Sequence, residues 1–165
     1  MKRINKKGSL FDIIFIIIVL VFFSMVVLIG LNIAQNFNNQ IQTMADVPAE
    51  GKTATDSAVN NYTGVINGGF LFLVIGMMIA TLVLAALVLV HPIFIPIYFI
   101  EWVITIIIGG IASNIYQEMA TSSQLQSTTN SLPILYFVLG YLPIIVGVLG
   151  IVLMIVLYKT ASWSQ

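Results

Sequence analysis

One stretch limits the fold of this chain more than any other: Leu82 to Trp102, reading LVLAALVLVHPIFIPIYFIEW. A long apolar run ends there at the only histidine, His91, and a second begins with no polar loop between them. In a bilayer this reads as a tight helical hairpin. His91 to Pro96 then forms an interfacial turn, and Tyr98 and Trp102 fall in the aromatic belt. Composition agrees, with 59% hydrophobic and 7% charged residues, against about a quarter charged in soluble domains. Such a chain cannot coat a globule with solvated side chains. An integral membrane protein is expected.

A helix needs roughly 20 residues to cross the hydrocarbon core. Runs of that length lie at about 10–34, 65–90, 97–116 and 132–158. The expected fold class is all-α: one polytopic membrane domain over 1–165, a bundle of four transmembrane helices with an extended first helix. Segment 45–64, with Pro48, Gly51 and many Ala, Thr, Ser and Asn residues, reads as a flexible loop. Its Asn61-Tyr62-Thr63 fits a glycosylation sequon, although a structural loop or cap accounts for it as well. Asn130 or Ser131 is expected to cap the fourth span, with Pro133 in its first turn. Pro143 should kink that span, its freed carbonyl finding a partner in a neighbouring helix.

Residues 1–8, MKRINKKG, hold four of the six basic side chains. The apolar run that follows exceeds the roughly 7–15 residues of a cleavable signal peptide, so it reads as an uncleaved anchor. Lys6-Lys7-Gly8 also resembles archaeal pilin-type signals, which are cut after glycine. Ser9-Leu10-Phe11-Asp12 fits a capping box; the alternative makes Asp12 an intramembrane carboxylate. With four spans, Lys2, Arg3, Lys6, Lys7 and Lys159 fall on one side and Lys52 on the other. Both termini are therefore expected on the cytoplasmic side, or the internal side of a virion.

The first helix should continue past the bilayer. Val27, Gly30, Ala34, Phe37, Ile41 and Met44 follow steps of three and four, a heptad-like stripe amid Asn and Gln. Ala34, Phe37, Ile41 and Met44 are the candidate partner contact; an interfacial helix lying on lipid is the alternative. Small residues suited to close helix packing recur at Gly30, Gly76, Ala80, Gly109, Ser113, Gly140 and Gly147.

Glu101 is the carboxylate placed within a span, about one turn from its start. Intramembrane carboxylates are functional candidates by default, and His91 and Lys159 fall on the same side as possible partners. The plainer reading has Glu101 snorkelling to the interface beside Trp102. One histidine and no cysteine cannot complete a zinc site, and no Ser–His–acid set meets at one depth. No enzyme activity and no cofactor are implied. With zero net charge there is no basic field for nucleic acid.

Several stretches share a layout: Ser113 to Ala120 (SNIYQEMA), Leu132-Pro133-Ile134, Leu142-Pro143-Ile144, Val148-Leu149-Gly150, and the start NKKGSLFDIIFIIIVLVFF. It resembles that of small multi-span proteins of archaeal and bacterial viruses, some with membrane-containing virions, and of small-genome archaea. The resemblance implies a structural protein of a virion membrane. The expected function is a non-enzymatic structural membrane protein that packs laterally, as a homo-oligomer or with other membrane or capsid subunits. The alternative is a small pore, holin-like or transport subunit using Glu101.

Overall fold

The two longest helices are longer than a bilayer requires. In the computed structural model, which describes residues 10–87 and 95–162, α1 spans Leu10–Thr43 and α2 spans Ala49–Leu87. At 1.5 Å per residue, their 34 and 39 residues run about 51 and 58 Å, against roughly 30 Å of hydrocarbon. The chain continues with α3 (Ile95–Ala120), α4 (Gln126–Ser131), α5 (Pro133–Gly140) and α6 (Leu142–Ser162). No strand occurs among the described residues. Among the described residues, three helices are long and apolar enough to cross a membrane, and a fourth span results if α5 and α6, bent by 65°, count as one. The Ser9 capping box, Gly8 and His91 lie outside the described residues.

Segment 49–64 is helical, which corrects the expected flexible loop; the turn between α1 and α2 covers residues 44–48 alone. Pro48 precedes the first helical residue, where its missing N–H costs nothing, and its carbonyl accepts from the Lys52 amide at 3.2 Å. Glu50 sits in the first turn, where the helix dipole favours an acid. The threonines that suggest a loop bond back within the helix: Thr53 to Ala49 O at 3.0 Å and Thr63 to Val59 O at 2.9 Å. Polar bonds across the hairpin complete it. Asn38 donates to Asp56 at 3.1 Å and Gln42 to Lys52 O at 2.8 Å, while the Lys52 ammonium donates to Gln42 O at 3.0 Å.

One seam of α1 faces inward. Ile17, Val21, Ser24, Leu28, Leu31 and Asn38 are buried, with Gln35 half-buried, and their steps of four and three match a helix packed along its length. The tightest core lies at the α1–α2 hairpin end, where Leu28, Tyr116, Leu132, Leu135 and Leu139 are fully buried. Outward, α1 from Phe15 to Ile33, α2 from Val65 to Val83, α3 from Ile97 to Ile115 and α6 from Ile144 to Tyr158 expose large apolar side chains.

The small residues divide into two groups. A Cβ on Gly109 would stand 3.9 Å from the Pro143 backbone and one on Gly147 would meet Ile106, so α3 packs closely on α6. Gly30, Gly76 and Ala80 face outward, and Gly30 and Gly76 have nothing within 4 Å of where a Cβ would stand. Their expected part in packing is thus corrected among the described residues, where no helix approaches the surface at Gly30 or Gly76.

Candidate functional site

Pro143 does not kink a continuous helix; it begins a new one. It is the second residue of α6, a first-turn position at which no N–H is missed. The break falls two residues earlier, at Tyr141, whose carbonyl accepts from both Ile144 and Ile145 at 3.0 Å. Gly140 O therefore loses the amide of Ile144. It accepts instead from Ser113 Oγ at 2.8 Å and Gln117 Nε2 at 2.8 Å on α3. The carbonyl that Pro143 itself leaves without an amide is Leu139 O; the bonds from the neighbouring helix fall instead on Gly140 O, one residue later. Ser113 and Gly140, expected as packing residues, serve here as donor and acceptor.

A second polar group closes the hairpin end of the bundle. Asn32 donates to Gln124 O at 2.9 Å and to Thr128 Oγ1 at 3.0 Å. Gln35 accepts from Thr128 Oγ1 at 2.6 Å and donates to Ser131 Oγ at 3.2 Å. Asn67 on α2 donates to Ser131 O at 2.9 Å. Ser131 does not cap the fourth span: its hydroxyl turns back to Thr128 O at 2.7 Å, and Leu132 is the N-cap of α5, with no side-chain cap bond. Asn32 and Gln35 thus carry the inward seam of α1 onto its own chain, while Asn36, Asn39 and Gln40 stay exposed. That spacing from Leu28 and Leu31 to Gln35, Asn38 and Gln42 is visible in the sequence; following apolar residues alone misses it.

The apolar stripe consequently points outward. Phe37 is 60% and Met44 48% exposed, while Ala34 and Ile41 are half-buried. It lies on the projecting hairpin, whose α1 limb carries no charged side chain from Leu31 to Thr43.

At the opposite end the helices part around a cleft of about 240 Å³. Ile17 and Leu20 of α1, Val74 and Met78 of α2, and Leu142 and Leu149 of α6 supply apolar wall. Tyr98, Glu101, Trp102 and Thr105 enter it from the first turns of α3. Trp102 is wedged over Gly150, where a Cβ would overlap atoms of the indole ring, and its Nε1 donates to Val146 O at 3.2 Å. Of the three residues expected around an intramembrane polar site, Glu101 lines the cleft, Lys159 lies beyond it in the last turn of α6, and His91 is outside the described residues. Among the described residues, no group of three His, Cys, Asp or Glu side chains comes together in a metal-binding arrangement.

Comparison of the chain with protein-family models, curated proteins and solved structures finds no match. Function therefore rests on the chain's own geometry.

Proposed function

We propose that the chain is a non-enzymatic structural membrane protein whose bundle anchors a stiff two-helix projection that joins a protein partner beyond the bilayer. The observation that carries this reading is the inverted polarity of the projection. Beyond Ile33, α1 continues for ten residues, about 15 Å. Gln35, Asn38 and Gln42 bond to α4 and α2 of the same chain, while Phe37 and Met44 lie bare outside beside the exposed Asn36, Asn39 and Gln40. A helix surrounded by water places its apolar side chains inward, so the bare seam fits a protein surface. A second copy, or a capsid subunit of the kind implied by the resemblance to viral membrane proteins, supplies one. In this reading both termini lie with the basic residues on the cytoplasmic or virion-internal side, and the hairpin lies opposite.

Two expected results test this reading. Phe37→Asp and Ile41→Asp should leave membrane insertion and helix content intact and weaken assembly, read as a smaller particle by light scattering in detergent. Unchanged particle size in both variants would make the projection a lone helical pair. Single cysteines at Thr53 and Ser162, in a chain otherwise free of cysteine, should react with an impermeant reagent from opposite faces of sealed vesicles. Reaction of both from one face would refute the four-span topology.

A further inference from the structure

We propose that the cleft between α1, α2, α3, α5 and α6 holds one acyl chain of a phospholipid whose head group carries a primary amine, with Glu101 as the head-group contact. The inference rests on the membrane reading above but not on the projecting hairpin.

The shape and chemistry of the cleft select an amphiphile. Its length is walled by aliphatic side chains together with Met77 and Met78, flexible thioethers suited to an irregular chain. Most polar groups around it are already engaged. Thr105 Oγ1 donates to Glu101 O at 2.8 Å, Thr81 Oγ1 to Met77 O at 2.6 Å, and Trp102 Nε1 to Val146 O. The Glu101 carboxylate and the Tyr98 hydroxyl are left at one end. Both lie within the first two turns of α3, at the level where aromatic and polar side chains meet lipid head groups.

Charge then chooses the head group. Among the described residues no Lys, Arg or His lines the cleft, so an anionic head would meet the Glu101 carboxylate with none of them to offset it. A choline head carries positive charge but no N–H. A primary ammonium carries both and makes the charge-assisted hydrogen bond a carboxylate accepts best. The lipid expected is phosphatidylethanolamine or an aminolipid of like chemistry.

Trp102 reports occupancy directly, because it forms part of the wall. The chain has two tryptophans, so Trp163→Phe leaves Trp102 as the sole emitter. That variant is reconstituted into phosphatidylcholine vesicles containing a minor share of lipid with brominated acyl chains, which quench indole on contact. Brominated phosphatidylethanolamine should reach half-maximal quenching at about a tenfold lower mole fraction than its choline counterpart, equivalent to about 1.4 kcal/mol. Glu101→Gln should lose most of that preference while still being quenched in proportion to bulk lipid. Val74→Phe, which narrows the cleft, should lower quenching by the amine lipid. Equal quenching by all head groups, or preference for an anionic lipid, would overturn the proposal and leave membrane insertion standing. A preference that survives Glu101→Gln unchanged would also overturn it. Absence of quenching by any lipid would overturn the membrane reading itself.

Discussion

Gly150→Ala is expected to destabilise the protein by about 2 kcal/mol, and Gly150→Leu by more, because both force a side chain into the space of a fixed indole. Overpacking a filled site costs about 1–3 kcal/mol, occasionally more. A Cβ on Gly150 would overlap Trp102 ring atoms, and the ring is pinned by its bond to Val146 O. Displacing it forfeits that hydrogen bond together with the packing of Trp102 on α6. The control is the same substitution elsewhere. Gly76→Ala meets nothing within 4 Å, and alanine is favoured over glycine in a helix by about 0.5–1 kcal/mol. It should be neutral or slightly stabilising. Thermal unfolding in detergent, followed by far-ultraviolet circular dichroism, measures both. Trp102 emission in the Trp163→Phe background should shift for Gly150→Ala alone. Equal effects of the two alanines would mean that Trp102 does not sit over Gly150.

The apolar spans were legible because hydropathy adds along a run, and twenty apolar residues leave little choice of structure. The ends of the helices were less so. Thr53, Thr55 and Asn60 have the composition of a loop, yet Asn38, Gln42 and Lys52 reach across the turn and bind that segment as a helix. Nothing local announces a contact between residues paired only once the chain has folded back. The stripe at Ala34, Phe37, Ile41 and Met44 was legible as a stripe, but the face α1 turns inward was not. Uncharged amides can be buried wherever their hydrogen bonds are met, and Gln35 and Asn38 meet theirs only once α4 and α2 are in place. The glycines show the same ambiguity. Gly76 and Gly109 look alike in sequence, and only the placement of α6 distinguishes the exposed from the packed. Glu101 was legible as the unusual carboxylate of a span. The cleft around it was not, because five separate helices supply its walls.

The break at Tyr141 supports the second large prediction. Gly140 O has two donors, Ser113 and Gln117, each at 2.8 Å. Ser113→Ala alone leaves the Gln117 amide in place, and Gln117→Leu alone leaves the hydroxyl. Side-chain hydrogen bonds within membrane proteins average about 0.6 kcal/mol, so each single variant should cost about that much. The double variant differs in kind, because it strands a carbonyl beside buried Leu139 and Leu142. An unpaired backbone group in such surroundings costs several kcal/mol, and about 3 kcal/mol is expected. The singles should therefore fall well short of the double, with a coupling inside the 0.5–3 kcal/mol range found for residues that share a partner. Proline supplies the rescue. Pro143→Ala removes the constraint that starts α6 afresh and lets Gly140 O take back the Ile144 amide. Added to the double variant it should restore most of the lost stability while straightening the 65° bend. Additive singles, or a triple variant no more stable than the double, would show that the stranded carbonyl is not what the two side chains protect.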